Sequence, residues 1–349
     1  YEDRSKAVYG QVSYKLEDLF SSLEDVTLDL GARYTKDEQT VCDAPSQTLT
    51  DPLVTEGQCN TGVYPFTKQS TSSNKVTYNL GVNYRMNDRL FVYAVTRRGY
   101  RGGGINTPLF PADSALSKAQ TFEPEVVDDL ELGMKTDFHI GETVGRFNLA
   151  VYQSEFSDIQ AGISQAPTGD PLRDPSNQTY YINAGEARVK GVESELIVSP
   201  LQDLEFSVAG AYLDKQITKF DPPPNVPITE EEAYSFAFFA SPRYSYNLGA
   251  NYVHHLGELG DLAFSVKYFR ISDIQYGAVT GDSYEKTDFR VALNDIGASG
   301  VNVAAFVNNA FDAVGVAGPS LSSPVGITSV GYIPPRMYGV QAEYRFGGL

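Results

Sequence analysis

The residues of this 349-residue chain best suited to binding chemistry lie in one run, Arg97-Arg98-Gly99-Tyr100-Arg101, followed by Gly102, Gly103 and Gly104. A guanidinium group is a planar, permanently charged fork that grips a carboxylate or phosphate with two parallel hydrogen bonds. Three of them beside glycine-rich backbone suit an anionic ligand, such as a metal chelate carrying carboxylates. The competing reading is plain charge pairing, with acids such as Glu131 on a neighbouring element. A glycine run alone is a weak phosphate signal, and no helix start follows this one.

Other candidates are fewer. Tyr234, Phe236, Phe238 and Phe239 form an aromatic segment that either packs on itself or lines a vestibule for an aromatic or apolar ligand. Glu193 and Glu195 share a strand face, as do Glu131 and Lys135. Paired carboxylates can serve acid–base catalysis, but no Ser-His-Asp or metal-ligand constellation accompanies them, so neither an enzyme nor a bound metal or cofactor is expected. Cys42 and Cys59 are the only cysteines, 17 apart in a polar segment, which predicts a disulfide formed in an oxidising compartment. The net charge of −17 argues against nucleic acid as a partner, since that calls for basic patches.

What must position these residues is a set of strands. The closing stretch from Ile333 to Phe346 alternates strictly, with Tyr338, Val340, Ala342, Tyr344 and Phe346 on one face and Gly339, Gln341, Glu343 and Arg345 on the other. The same alternation places Tyr244, Tyr246, Leu248, Ala250 and Tyr252 on an apolar face and Ser245, Asn247, Gly249 and Asn251 opposite. Thirteen such strands are predicted, each with the 9–11 residues a spanning strand needs. They include continuous strands over Val26–Thr35, Lys75–Arg85, Tyr180–Val198, Leu204–Phe220 and Leu262–Tyr276. No run of about 18 apolar residues is present, so a transmembrane helix is not expected.

Short connections alternate with long ones along the whole chain. Apolar-out, polar-in strands with aromatics near both ends, and loops sorted by length, predict an all-β, antiparallel up-and-down transmembrane barrel. The arginine run then falls at the extracellular rim, where lipopolysaccharide phosphates join the inward acids as alternative partners. His139, His254 and His255 fall in the short turns on the opposite side. Parity adds that the first and last strands run in the same direction. A single-chain bacterial barrel needs an even strand number. Residues 1–349 are therefore expected to be a C-terminal portion of a barrel, its edges joined through residues outside this sequence.

The motifs L-G-A-R-Y-T-K-D-E (30–38), L-F-V-Y-A-V-T-R-R-G-Y-R-G-G-G-I-N (90–106), F-E-P-E-V-V-D-D-L-E-L-G-M-K (122–135), N-A-G-E-A-R-V-K-G-V-E-S-E-L (183–196) and V-N-N-A-F-D (307–312) follow in order. In this order and spacing the chain resembles the C-terminal barrel part of TonB-dependent outer-membrane receptors. The resemblance implies a 22-stranded barrel filled by an N-terminal plug, neither plug nor TonB box being recognisable here. It implies a multi-pass barrel in the outer membrane of a Gram-negative bacterium, surrounded by lipid and lipopolysaccharide. It implies energised import of a scarce large solute, a ferric siderophore leading, with TonB, the plug and the small-molecule or metal-chelate substrate as partners. Arg97, Arg98, Tyr100, Arg101, Tyr234 and Phe236 are the expected ligand-facing residues. A passive porin-like channel, or a surface receptor or scaffold within an outer-membrane assembly, are the alternative functions.

Overall fold

A computed structural model describes residues 2–20, 23–43, 67–107, 118–165, 178–224, 226–276, 279–321 and 328–346. Thirteen strands form one antiparallel sheet in which every strand pairs with its sequence neighbours in that sheet. They are β1 (Glu2–Lys15), β2 (Val26–Asp43), β3 (Thr67–Asn87), β4 (Leu90–Arg101), β5 (Glu125–Ile140), β6 (Thr143–Ser157), β7 (Gly185–Leu201), β8 (Leu204–Phe220), β9 (Tyr244–His255), β10 (Asp261–Ile271), β11 (Tyr284–Asn294), β12 (Val301–Asn308) and β13 (Met337–Tyr344). This is the up-and-down order the alternating pattern predicts.

The register sorts the side chains. Opposite residues on paired strands share a face, so Val192 joins Val151 and Tyr212, and Leu248 joins Val208 and Tyr268. Leu30, Val82, Leu132, Val192, Val208, Leu248, Tyr252 and Val291 all remain exposed on that outer face. A soluble sheet would cover such a stripe with a second layer. A barrel wall leaves it to lipid. Ser245 and Asn247 point the other way, into a groove on the inner face.

Several boundaries differ from the sequence pattern. β2 and β3 run on to Asp43 and Thr67 as a paired arm, because Lys36–Asp43 and Thr67–Asn74 keep extended pairing above the apolar stripe. The continuous strand expected over Tyr180–Val198 is two strands. Gln178–Asn183 pairs with Gln160–Gln165, and the barrel strand starts only at Gly185, whose φ of +128° turns the chain. The strand expected over Leu262–Tyr276 likewise stops at Ile271. Ser272 Oγ there accepts from Arg243 N and Asp273 Oδ1 accepts from Ser283 N, closing the base of the small hairpin Ile274–Tyr276 with Val279–Gly281. β12 and β13 carry eight residues each, shorter than a full span.

Two more small hairpins, Gly104–Ile105 with Thr121–Phe122 and Val316–Leu321 with Thr328–Tyr332, also lie among the long connections. So does one helix, α1 (Glu230–Ala237). Its start is a capping box, Thr229 accepting from Glu232 N while Glu232 accepts from Thr229 N. The one large buried cluster among the described residues sits here rather than in the sheet. Ile159, Ala161, Tyr180, Ile182, Ala184, Val226, Ala233 and Phe238 form its centre, joining the connections after β4, β6 and β8.

Candidate functional site: the inner wall and its apical rim

The inner wall is built from a repeated unit. Tyr93 on β4 stands opposite Gly133 on β5, and a Cβ on that glycine would lie 2.1 Å from the tyrosine ring. The ring therefore lies flat across the glycine, and its hydroxyl donates to Glu131 at 2.6 Å. Two strands on, Tyr152 covers Gly191 in the same way, a Cβ there falling 2.2 Å from the ring. Its hydroxyl donates to Glu193 at 3.2 Å. The glycines of the E-L-G-M-K and V-K-G-V-E stretches thus serve as seats for aromatic rings. Below, a groove of about 460 Å³ is lined by Tyr93, Lys135, Asn148, Glu193, Glu195 and Asn247 among others.

Against this wall the arginine run divides. Arg97 points inward, its Nη2 donating to Asp129 at 2.6 Å and to Glu131 at 2.5 Å, while Ser154 donates to the other Asp129 oxygen at 2.8 Å. Arg98 points outward and grips Asp128 with two bonds of 2.7 Å, a carboxylate that Tyr78 also reaches at 3.0 Å. Tyr100 donates to Asp37 at 2.5 Å. Arg101 alone pairs with no carboxylate among the described residues; it lies over the Tyr181 ring, 5.8 Å from the centroid.

Tyr181 leads to the aromatic segment. Its ring stands 5.7 Å from Phe122 and 6.0 Å from Phe236, the latter edge-on. Arg101 and Phe236, 135 positions apart in the chain, thus belong to one rim surface joined by two rings that the sequence pattern did not single out. Tyr181 was concealed in the Tyr180–Val198 run, where parity cannot show that the chain has left the barrel. Tyr234 turns away and packs edge-on against Phe238 at 4.9 Å, inside the loop cluster. Burial there raises its hydroxyl pKa.

Buried amides lock this rim. Asn106 donates to Ala119 O and Tyr181 O, both at 2.7 Å, and accepts from Tyr181 N. Gln160 donates to Gly102 O and Glu123 O, and Asn183 accepts from Glu123 N. Ile105 N donates to Gln39, an inner-face residue of β2, which draws the first hairpin over the lumen side. Lys215 donates to Ser241 O and lies over the Phe238 ring.

Cys42 is disulfide-bonded. Cys59, its expected partner, lies outside the described residues. His139, His254 and His255 occupy the rim of short turns, away from the arginines. Among the described residues no group of three His, Cys, Asp or Glu is placed to hold a metal, and no helix is long and apolar enough to cross a membrane.

A one-layer antiparallel wall, apolar outside and acid-lined inside, with a loop cluster above it, defines the wall of a transmembrane β-barrel. The family model described as TonB dependent receptor-like, beta-barrel matches residues 1–310, and the chain belongs to that family. Its fold is similar to the ferric yersiniabactin uptake receptor FyuA from Yersinia pestis, with TM-score 0.66 and 16% identity, over 97% of this chain and 45% of that one. It is also similar to the copper transporter OprC, with TM-score 0.63 and 13% identity, over 98% and 48% of the two chains. A third likeness is the pyoverdine outer membrane receptor FpvA from Pseudomonas aeruginosa PAO1 bound to pyoverdine, with TM-score 0.60 and 16% identity, over 99% and 42%. The chain spans less than half the length of each.

Proposed function

We propose that this chain supplies wall and rim of a TonB-dependent importer in the outer membrane of a Gram-negative bacterium, and that its solute is a scarce anionic chelate, a ferric siderophore first. The observation that carries the reading is Arg101. It is the member of the arginine run left without a carboxylate among the described residues, and it lies over the Tyr181 ring, which in turn meets the Phe122 and Phe236 rings. Such a rim offers a guanidinium for a carboxylate or phenolate and flat rings for an aryl group. Arg97 and Arg98 are tied to Asp129, Glu131 and Asp128, and serve to hold the rim's base. Energy from the inner membrane, passed by TonB to a plug, belongs to the same reading.

The test uses the full-length receptor. Binding of a panel of ferric siderophores is measured by fluorescence quenching for parent and Arg101→Gln. Loss of one charge-assisted contact weakens the Kd of the cognate chelate about tenfold or more. An unchanged Kd across every chelate that binds overturns the assignment of Arg101. Uptake in cells treated with a protonophore decides the energy requirement: import that continues unabated identifies a passive channel.

A further inference from the structure

The inner wall changes sign along the sheet. Over β4–β7 its acids include Asp129 and Glu131, and the wall's own Arg97 already pairs both. Over β10 and β11 the balance reverses. Phe264, Phe289 and Val291 are exposed on the outer face, so the opposite parity turns Lys267, Lys286, Asp288 and Arg290 inward. Grooves of about 350 and 420 Å³ meet there, sharing Lys267 and Asp288.

Lys267 stands directly opposite Asp288, but both oxygens of that carboxylate are engaged elsewhere. Oδ2 accepts from Lys286 at 3.2 Å and Oδ1 from Asn309 N at 2.7 Å. Lys267 has no ion pair among the described residues. Arg290 sits on the next inward rung, opposite Ser265, and donates to the neutral Gln341 at 3.1 Å. Both strands are interior, β10 paired by β9 and β11, and β11 by β10 and β12, so neither cation lies on an open edge. Phe306 faces Arg290 across the β11–β12 ladder and lies over Gly339, where a Cβ would fall 2.9 Å from its ring. A guanidinium beside a flat ring is the chemistry of the rim, repeated down the wall. Lys267 lies four residues below the end of β10 at Ile271, roughly 13 Å along the strand. A cleft walled by low-dielectric protein and lined by one sign of charge gathers ions of the other sign.

We propose that Lys267 and Arg290 form a transit site for the carboxylates of the imported solute, partway down the inner wall. The identity of the solute rests on the function proposed above; the anion site rests on the wall alone. Lys267 supplies a point charge, Arg290 a fork for one carboxylate, and Phe306 a face for an aryl group. A transit site must hold its ligand weakly enough to release it. Two cations in an open groove meet that requirement.

The test is amine footprinting of the full-length receptor in nanodiscs, with citrate titrated through the millimolar range as the carboxylate probe. A water-soluble acetylating reagent marks free lysines, and mass spectrometry reads each site. Lys267 should react, and citrate at about ten times its Kd should slow that reaction about tenfold. Lys219, above the wall, should react at an unchanged rate. Arg290→Gln should raise the citrate required about tenfold, and heat-modifiable gel migration verifies that the variant is folded. Two results overturn the proposal: no protection of Lys267 by citrate, or a Lys267 that reacts only once the receptor is unfolded. The second would mark a lysine already paired with a carboxylate of the plug. Transport then separates this site from the rim. Lys267→Gln with Arg290→Gln should slow uptake of a rim-bound carboxylate chelate severalfold and leave its Kd unchanged. Unslowed uptake overturns the transit role. Failure of every ferric chelate to bind the parent overturns the solute reading instead, and the footprint still decides the anion site.

Discussion

At the scale of single residues, identity was legible and partnership was not. The arginine run stands out in the sequence, and Glu131 was a nameable partner because strand parity puts odd-numbered residues of neighbouring strands on a common face. Parity turns Arg98 to the opposite face from Arg97, but could not say that it would grip Asp128 there, or that Arg101 would find Tyr181 instead of an acid. The difference should be measurable. Arg97 serves two carboxylates that are only 15% and 19% exposed, whereas Arg146 meets Asp137 with both side chains more than half exposed. Exposed pairs contribute between nothing and about 1 kcal/mol, and networks lie at the upper end. Urea unfolding in lipid vesicles is expected to show Arg97→Gln destabilised by about 1 kcal/mol and Arg146→Gln near parent stability. A reversed order would mean that the Asp129–Glu131 network carries no net stabilisation.

His255, at the foot of β9 beyond the apolar band, makes a pH-dependent pair of contacts. Its Nδ1 meets Asp261 at 2.7 Å and its Nε2 meets Asp203 at 3.1 Å, which ties two short turns together. The hydrogen bonds to Asp261 and then Asp203 raise its pKa above the usual 6.5. Because the folded value is the higher one, protonation favours the clasp. Its contribution is complete below the unfolded pKa and is lost as pH rises through the folded one. The imidazole Cε1 proton should titrate above 6.5 by NMR in micelles. A midpoint at or below that value contradicts the clasp.

At the scale of elements, the alternation found all thirteen barrel strands because each exposes one face to lipid and the other to a polar lumen, a period of two that nothing local disguises. It failed where the chain leaves the sheet without losing its extended shape. Gly185 marks the clearest failure: only its positive φ separates the Gln178–Asn183 hairpin strand from β7. A Cβ there would lie 1.9 Å from Lys219 O, so the substitution strains backbone against backbone. Gly185→Ala is expected to cost on the order of 1–3 kcal/mol and to loosen the loop cluster above it. Faster protease cleavage between residues 158 and 184 is the readout, and parent-like resistance would show that the junction can shift freely. The helix was legible in principle, since Thr229-x-x-Glu232 is a capping box, but eight residues inside a long connection give too short an apolar period to stand out. Thr229→Ala should cost about 1 kcal/mol and expose residues 221–243 to protease.

At the scale of the whole molecule, the wall is an open sheet. Among the described residues β1 pairs only with β2 and β13 only with β12. Strand parity requires this, because two strands running in the same direction cannot close an antiparallel barrel against each other. Each backbone group left unpaired in hydrocarbon costs several kcal/mol. Val8 and Tyr14 on one edge, and Tyr338 and Tyr344 on the other, therefore need partner strands that these thirteen do not provide. The chain's coverage of less than half of each similar structure accords with that need. Amide hydrogen exchange distinguishes the possibilities. In the full-length protein in lipid, the outward amides of β1 from Val8 to Tyr14 and of β13 from Tyr338 to Tyr344 should exchange as slowly as those of β8 and β9. When residues 1–349 are expressed alone in micelles, those two edges should exchange orders of magnitude faster than the β2–β12 interior, which stays paired on both sides. Slow exchange at both edges of the isolated chain would mean that they find each other, and the parity argument would fall.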